Sequence, residues 1–528
     1  MAGKSVIIIG SGFGGLMSGN LLAKKGHDVT IFESHSSPGG YTAGFRKKGF
    51  YFESGTLSFE ASASIFKAMK DIGVLDNISF EREKIRWVSK YFDAIPGKYE
   101  DFKKMLYDAF PKDSDRLDRY FGEVDKMYEA STLTNGKIIP FLYDGMQLFK
   151  SVISYMYSAR KSIKITKRLG DMTVGEFNEK FFEKNSKLYK LLDGLLYPDM
   201  AASIIGASFG MYDDYWTVSK GMQSWADVLA ENFKKLGGQL KLSSYVDKII
   251  IENGTAAGVE SDGVTYSADY VISASDYKKT FLKLLDNKSL MPSEMQEKIE
   301  NAEVSQPVFT VYLGLNLPNK ELQKNMKIHH VGYCDLDSDA DIHNSGDADY
   351  FDKCSVALYS ASMLNSELAP EGKSSLMLMS MCPRRWMNNW GAGDKEKYKQ
   401  LKEKAMNGLI KKAREVVPNL DKYIEFQDSA TPLTYERFTH NSGGATSAWS
   451  WNPKQKFFSQ PMSINVDTPG KKPVHRLVLG QSNWWCTGRT YGSIYLCKEN
   501  KMTDINRFGI PSLWPKGLNF INYNQKLL

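Results

Sequence analysis

The hydrophobic pattern of the chain starts with a strand, a glycine-rich turn, a helix and a second strand. The β-branched run at 6–9 predicts a strand buried on both faces, and the glycine-rich stretch 10–15 follows it directly. Apolar positions at helical spacing over 16–26, ending in lysines and a glycine, predict the helix. Residues 28–32 predict the second strand, which leads into Glu33. This order is typical of the first βαβ unit of a doubly wound α/β sheet.

The same pattern predicts the remaining elements. Residues 60–205 carry aromatic and basic positions at helical spacing, which predicts a mainly helical insertion. Helices are also predicted at 224–236 and 395–417, the second within an α+β layer that spans about 290–425. Strands are predicted at 239–242, 246–251, 256–259, 270–274, 308–315, 356–359, 374–381 and 476–479. Because 528 residues exceed the size at which one hydrophobic core keeps growing, we expect at least two domains.

Composition and charge narrow the possible functions. The net charge of +7 is mildly basic for this length, so it permits weak attraction to an anionic membrane and does not indicate a nucleic-acid partner. The five cysteines are an odd number without a CxxC pair, which predicts free thiols in a reducing compartment and no zinc site. The first strand begins almost at Met1, and no run of roughly 18 apolar residues occurs, so we expect neither a signal peptide nor a membrane span. A cytoplasmic protein is the expectation.

The glycine-rich turn indicates a dinucleotide site. Gly10 allows the tight turn, Gly12 lets the backbone approach a pyrophosphate, and Gly15 lets helix and strand pack closely. The helix N-terminus then presents unpaired N–H groups and the positive end of its dipole to the phosphates. Glu33 lies 18 residues after Gly15, where a carboxylate accepts hydrogen bonds from a ribose and repels a phosphorylated one. The turn therefore predicts FAD or NAD, and not NADP.

Two further glycine clusters extend this interpretation. Glycines are dense at 37–41 and at 49–55, which predicts a backbone that passes close to a bulky ligand such as an isoalloxazine ring. For either cluster alone, ordinary turns are the alternative. The predicted strand at 476–479 runs into Gly480 and Gln481, and it is positioned to supply backbone donors to a second part of the ligand.

The acidic run at 335–341 resembles a calcium-binding loop without its essential residues. Ala340 stands where that loop needs a glycine, and Gly346 stands where it needs a bidentate glutamate. We therefore expect a solvated acidic loop and no metal site.

Residues 140–168 combine an apolar face with a basic C-terminal part. Such a segment can lie in a membrane interface, with its apolar side in the lipid and its cations toward anionic headgroups. A buried core helix with a solvated basic end is the alternative.

Several motifs together resemble one protein family. The stretches GSGFGGL at 10–16, PGG at 38–40, FESG at 52–55, KGM at 220–222 and the unit at 237–274 resemble the phytoene desaturase, carotenoid isomerase and retinol saturase family of amine-oxidase-like flavoproteins. Later stretches at 368–372, 431–437 and 479–482 agree with it. The resemblance spans nearly the whole chain.

The resemblance implies an α/β fold with a Rossmann-like FAD-binding domain built from discontinuous segments at 1–75, 205–290 and 425–508. The helical insertion at 76–204 and the α+β segment at 291–424 would form the substrate domain, followed by a C-terminal extension at 509–528. The cofactor would be FAD. The residues that the resemblance and the glycine motifs assign to FAD are Gly10, Gly12, Phe13, Gly14, Gly15, Glu33, Ser34, Gly39, Gly40, Tyr41, Gly55, Thr56, Val246, Gly480 and Gln481.

The resemblance also implies an activity. Members move hydrogen on or off long conjugated or isoprenoid chains, or isomerise their double bonds, so we expect an FAD-dependent oxidoreductase or isomerase that acts on an apolar substrate. Two alternatives stay open: an amine-oxidase-like flavoenzyme acting on a soluble small molecule, and a family member without catalysis. The stretch 483–492 departs from the family pattern, because large aromatic residues and an arginine replace small residues there.

No catalytic triad, metal cluster or carboxylate pair is evident, and the electron acceptor or donor cannot be read from the chain. Aromatic and cationic residues near the C-terminal part are candidates for the flavin face, with packing between domains or a surface ion pair as the alternative. They are Trp449, Trp451, Trp484, Trp485, Arg489 and Tyr491.

Overall fold

A computed structural model describes residues 3–135, 137–138, 142–143, 145–196, 199–252, 255–285, 291, 293–447 and 449–455, and the strands at 463–466, 475–478 and 494–497. The strands in these ranges are β1 (Ser5–Ile9), β2 (Asp28–Phe32), β3 (Gly44–Lys47), β4 (Phe50–Glu53), β5 (Phe80–Arg82), β6 (Arg86–Val88), β7 (Asp93–Ala94), β8 (Trp216–Val218), β9 (Gln239–Lys241), β10 (Val246–Glu252), β11 (Thr255–Ser261), β12 (Val264–Ser267), β13 (Tyr270–Ser273), β14 (Val308–Leu315), β15 (His330–Tyr333), β16 (Val356–Tyr359), β17 (Ser374–Met381), β18 (Ile424–Ala430), β19 (Ser463–Val466), β20 (His475–Val478) and β21 (Ile494–Cys497). The α-helices in these ranges are α1 (Phe13–Lys24), α2 (Ser62–Ile72), α3 (Tyr99–Ala109), α4 (Ser114–Asn135), α5 (Gly145–Leu169), α6 (Val174–Asn178), α7 (Lys187–Leu195), α8 (Ile205–Phe209), α9 (Met222–Lys235), α10 (Tyr277–Lys279), α11 (Ser293–Asn301), α12 (Asn319–Met326), α13 (Tyr350–Lys353), α14 (Ala361–Leu364), α15 (Trp386–Gly391), α16 (Lys395–Ala413) and α17 (Pro432–Thr439).

The first large sheet has the strand order β19-β20-β21-β13-β1-β2-β9. Strands β13, β1, β2 and β9 are parallel, and β19, β20 and β21 extend the sheet in antiparallel fashion. Strand β1 is central and its apolar residues are buried, because α1 and α9 cover one face and the β10-β11-β12 sheet lies toward the other. This sheet confirms the predicted α/β fold class.

The second large sheet has the order β18-β14-β17-β16-β15-β6-β7 and is antiparallel apart from the β15–β6 pair. The strands predicted at 308–315, 356–359 and 374–381 coincide with β14, β16 and β17, respectively. Helix α16 packs on this sheet and ends at Ala413, before the predicted end at 417, because Pro418 disfavours helical backbone in the residue before it.

The segment 76–204 is not wholly a helical insertion. Helices α3 to α8 contribute most of one apolar core. Residues 80–94, however, form β5, β6 and β7, and β6 joins the second sheet in parallel register, with Val331 opposite Arg86. The short strands lack the alternation that identifies a strand from sequence, since β6 has only three residues.

The boundary predicted at 425 also moves. Strand β18 belongs to the second sheet, where it pairs with β14, so that layer extends to Ala430. Helix α17 follows directly, with Thr431 as its N-cap and Pro432 in its first turn. The remaining domain boundaries stay a prediction, and the extension at 509–528 lies outside the described residues.

Candidate active site

The turn between β1 and α1 has the geometry that its glycines predict. Gly10 has a φ of +95°, which favours glycine. A Cβ on Gly15 would lie 2.0 Å from the carbonyl oxygen of Gly10, so only glycine lets the helix approach the turn this closely. A Cβ on Gly12 would meet no atom within 4 Å, so it would project into open space. The turn therefore leaves a cradle at the N-terminus of α1 that a phosphate can fill.

Glu33 lies at the end of β2 beside this turn, and its carboxylate is buried. One carboxylate oxygen accepts hydrogen bonds from the Ser11 N–H at 2.7 Å and from the Ser11 hydroxyl at 2.8 Å. The other accepts from the His35 N–H at 2.9 Å and from the Ser34 hydroxyl at 3.2 Å. The side chain is thus held at the edge of the turn, where the sequence predicts a ribose-binding carboxylate.

A cavity of about 630 Å³ runs along this turn. Its lining includes His35, Tyr245 and Val246, and it also includes Tyr312 of the second sheet. The predicted cofactor residues that line it are Gly10, Gly12, Phe13, Gly14, Glu33, Ser34, Gly40, Tyr41 and Val246. A cavity lined by both a helix N-terminus and a carboxylate fits a dinucleotide such as FAD, with α1 holding the pyrophosphate and Glu33 the ribose.

Four predicted cofactor residues do not line the cavity but shape its wall. Gly15 packs against Gly10. The Gly39 N–H donates a hydrogen bond to the Ser11 carbonyl of the glycine-rich turn at 3.0 Å. The Thr56 N–H donates to the Tyr41 carbonyl at 2.8 Å. A Cβ on Gly55 would lie 2.2 Å from the Tyr41 ring. Gly15 and Gly39 thus shape the glycine-rich turn, while Thr56 and Gly55 position Tyr41.

An aromatic arm of the cavity consists of Tyr41, Phe45, Tyr312 and Tyr435. The Tyr41 hydroxyl donates to the Ala445 carbonyl at 2.6 Å. The Tyr435 hydroxyl is 2.7 Å from the Thr310 hydroxyl and 3.5 Å from that of Tyr312. Because other protein groups satisfy these hydroxyls, the tyrosines offer the cavity mainly their rings. Sequence reasoning identified Tyr41 here and missed the other three.

Acidic residues that sequence reasoning missed also line the cavity. The Asp428 carboxylate accepts hydrogen bonds from Lys47 at 2.6 Å and from Lys402 at 3.2 Å. Burial raises the pKa of Asp428, but the two lysines outweigh this effect and hold the pKa below its usual value. Asp276 accepts from the Ser442 hydroxyl at 2.8 Å. Glu60 is partly buried beside Phe59 and forms no ion pair within the described residues. No motif marks any of them, since each comes from a different segment of the chain.

Trp449 and Trp451, both candidates for the flavin face, lie in the hydrophobic core instead. Trp449 is 3% exposed and packs edge-on against Tyr277, with ring centroids 4.7 Å apart. Trp451 packs among the helices of the α3–α8 region. Neither lines the cavity in the described part of the chain. The tryptophan that does line it is Trp225 of α9, which the sequence pattern presents as an ordinary core residue.

The other candidates in the C-terminal part lie outside the described residues. They are Gly480, Gln481, Trp484, Trp485, Arg489 and Tyr491. Within the described residues, no cluster of histidine, cysteine, aspartate and glutamate side chains could hold a metal ion. The described helices include none that is long and apolar enough to cross a bilayer.

Comparisons with known proteins identify the family of the chain. Residues 13–457 match the family described as flavin containing amine oxidoreductase. A 4,4'-diapophytoene desaturase (4,4'-diapolycopene-forming) from Methylomonas sp is 26% identical over 87% of this chain and 88% of its own length. A chloroplastic prolycopene isomerase from Daucus carota is 24% identical over 83% of this chain and 71% of its own.

Solved structures show the same fold. An oxidoreductase from Methanosarcina mazei has a TM-score of 0.52 at 16% identity, covering 81% of this chain and 88% of that one. A putrescine oxidase variant has a TM-score of 0.52 at 14% identity, covering 82% and 85%. The predicted resemblance and the predicted cofactor are thus confirmed: the chain belongs to the flavin-containing amine oxidoreductase family and is an FAD-dependent oxidoreductase.

Proposed function

We propose that this enzyme desaturates or isomerises carbon–carbon double bonds of a long, apolar polyene of the carotenoid type. The names of the relatives support this substrate class, because a diapophytoene desaturase and a prolycopene isomerase each match most of this chain. The diapophytoene desaturase of Staphylococcus haemolyticus adds a third such relative, at 24% identity over 83% of this chain.

The aromatic arm is the observation that carries the proposal. Tyr41, Phe45, Tyr312 and Tyr435 give the cavity a wall of rings, and the hydroxyls of the tyrosines are engaged within the protein. A flat, apolar, conjugated substrate packs well against such a wall, and it leaves none of the three tyrosine hydroxyls unpaired.

The residues of the chain would bind and orient, while the cofactor supplies the redox chemistry. When bound, FAD accepts or donates a hydride. Gly12 and the N-terminus of α1 would hold the pyrophosphate, and Glu33 the adenosine ribose. The aromatic arm would hold the polyene and exclude water from the reacting carbons.

The test is a conversion assay on the purified, FAD-loaded protein. Vesicles that contain a colourless C30 or C40 polyene, and separately vesicles with a coloured, more extensively conjugated polyene in its cis form, are incubated with the protein and a soluble quinone. Products are then separated by liquid chromatography, and their masses are measured by mass spectrometry. A loss of two hydrogens identifies desaturation, a gain of two identifies saturation under reducing conditions, and an unchanged mass with a new retention time identifies isomerisation.

The Gly12→Ala variant is the control, because a methyl group would fill the phosphate cradle and remove FAD. Conversion by the wild type and none by the variant would support the proposal. Oxidation of putrescine or another soluble amine with release of hydrogen peroxide, together with no change in any polyene, would overturn it.

We further propose that the enzyme takes this substrate from an anionic membrane on the cytoplasmic side. An exposed apolar stripe follows one side of α5, and its members are Met146, Phe149, Ile153, Met156, Tyr157 and Ile163, which are 39–72% exposed. The predicted core-helix alternative would bury this face. Basic residues follow on the C-terminal turns of the same helix, namely Arg160, Lys161, Lys164, Lys167 and Arg168. An apolar stripe beside cations complements the acyl boundary and the headgroups of an anionic lipid surface.

The cysteines support the choice of the cytoplasmic side of the membrane. The buried free thiols of Cys334, Cys354 and Cys382 suit the reducing cytoplasm.

Sedimentation with lipid vesicles tests the membrane contact. We expect the wild type to bind vesicles with phosphatidylserine better than neutral ones, and Phe149→Ser/Ile153→Ser to bind both at least about tenfold more weakly, since each side chain contributes about 1.5 kcal/mol or more when buried. Val264→Ser is the matched control, because Val264 is 51% exposed on the separate β10-β11-β12 sheet. Equal binding by all three proteins would contradict the proposal.

A further inference from the structure

Four acidic side chains line the cavity, and three of them are committed to other groups. Glu33 accepts hydrogen bonds from the glycine turn, Asp276 accepts from Ser442, and Asp428 is paired with lysines. Glu60 is different: among the described residues it has no ion pair and no hydrogen bond to another side chain. It is therefore the carboxyl group of this wall that is available to react with a ligand.

Glu60 follows Phe59 and precedes the start of α2. Phe59, Ile65 and Trp225 also line the cavity, and the rings of Phe59 and Trp225 lie 4.9 Å apart. Ala61, the next residue, has a φ of +59° and is the N-cap of α2. The cavity wall that includes Glu60 therefore combines this carboxyl group with apolar and aromatic side chains.

The charged and titratable groups that face Glu60 come from the segment before β8 and from β5. Asp214 accepts from the Ser62 N–H and the Trp216 ring N–H, and Arg82 lies 4.0 Å from it. Burial raises the pKa of the Tyr215 hydroxyl, and the nearby Glu60 carboxylate adds to this rise. No cation contacts Glu60 itself within the described residues. Burial, together with the smaller effect of the Asp214 carboxylate, raises the pKa of Glu60 to about 8.

We propose that Glu60 is the proton acceptor for desaturation, an inference that rests on the proposed function. Desaturation breaks two C–H bonds on neighbouring carbons. One hydrogen leaves as hydride to the oxidised flavin, the electron pair of the other C–H bond forms the new double bond, and its proton goes to the Glu60 carboxylate. The oxidant is the bound FAD, which gains two electrons, and Glu60 changes only its protonation.

The pH dependence follows from the protonation state. A proton acceptor must be ionised, and the pKa of Glu60 is about 8, so kcat should rise about tenfold per pH unit below pH 8 and level off above it. General-base catalysis contributes about 100- to 10,000-fold. Glu60→Gln should therefore lower kcat by at least about 100-fold and remove the rise with pH.

The experiment compares the FAD-loaded wild type, Glu60→Gln and Glu81→Gln on the polyene that the conversion assay identifies. Glu81 is exposed on β5, and its replacement removes the same charge away from the cavity. Infrared spectra of the three proteins, without substrate, follow the protonated carboxyl band from pH 6 to pH 10. We expect part of this band to disappear in Glu60→Gln only, while the buried Glu53 keeps its own contribution in all three.

The outcomes separate the two proposals. A wild type that converts the polyene, with a Glu60→Gln variant of the same kcat and pH profile, would overturn the role of Glu60 and leave the proposed function intact. A loss of activity with no change in pH profile or infrared band would also overturn it, because Glu60 would then be structural. A wild type that binds FAD and converts no polyene would overturn the proposed function, and the proton-acceptor role with it.

Discussion

Replacing Gly12 by alanine should separate cofactor binding from folding. Gly12 has φ −62° and ψ 174°, an ordinary extended conformation for alanine, and the new Cβ would meet no atom within 4 Å. The apoprotein should therefore keep its stability, or gain about 0.4–1 kcal/mol because alanine restricts the unfolded chain. The methyl group would instead occupy the space into which a pyrophosphate must fit.

The expected loss of affinity follows from the hydrogen bonds at the N-terminus of α1. A hydrogen bond to a charged group contributes about 1.5–3 kcal/mol. Displacing the pyrophosphate far enough to break one such bond would weaken FAD binding about 10- to 100-fold, and breaking two would weaken it about 100-fold or more.

Calorimetric titration of the apoproteins with FAD, together with thermal unfolding, measures both quantities. Gly15→Ala is the matched comparison, because its Cβ would lie 2.0 Å from the Gly10 carbonyl oxygen and must push helix and turn apart. We expect Gly15→Ala to lose both stability and FAD, and Gly12→Ala to lose FAD alone. If Gly12→Ala bound FAD with the affinity of the wild type, the pyrophosphate could not lie at this turn, and our reasoning about the site would be refuted.

Three further predictions concern single side chains. Glu33→Arg should weaken FAD binding and also lower the stability of the apoprotein, because the buried Ser11 N–H and the His35 N–H lose their acceptor. Unchanged flavin occupancy after gel filtration would count against the ribose assignment. Glu83 is buried and bonded to His329 at 2.9 Å and to His330 at 3.2 Å; burial raises its pKa, but these hydrogen bonds bring the pKa down to about 2. The stabilising contribution of the Glu83 carboxylate is therefore present above about pH 4.5 and lost as pH falls toward 2. Glu83→Gln should lower the free energy of unfolding by about 1.5–3 kcal/mol at pH 7 and make it less dependent on pH in the acid range. Urea unfolding at several pH values measures both effects. Trp449→Ala should cost about 3–5 kcal/mol of stability and leave the visible flavin spectrum unchanged, whereas a shifted spectrum would return Trp449 to the flavin face.

The nucleotide-binding part could be predicted from sequence because its signal is local. The strand, turn, helix and Glu33 follow one another within 33 residues, and the close contact between Gly15 and Gly10 lies within that stretch. Strands β14 and β17 were equally readable, since each is a mostly apolar run of eight residues.

The aromatic arm and the acidic residues could not be read in this way. Tyr41, Tyr312 and Tyr435 come together only when two sheets and α17 are assembled. Their spacing along the chain therefore does not predict that they line one cavity. The core positions of Trp449 and Trp451 could not be predicted for a related reason: an aromatic side chain near a cofactor motif is equally suited to core packing, and only burial distinguishes the two roles.

The strand order of the first sheet has a consequence for how the protein is made. Strand β1 is synthesised first, yet its neighbour β13 lies 264 residues later, and β21 follows β13 only at Ile494. Such non-local pairing makes folding slow and leaves the outer edges of the β1–β2 pair unpaired on the ribosome until about half of the chain has been synthesised. Residues 431–441, which complete the cavity wall, also emerge late. Flavin loading must therefore follow synthesis of nearly the whole chain, so ribosome-bound fragments that stop before about residue 430 should retain no FAD, and cells making the protein should depend on chaperones that shield strand edges.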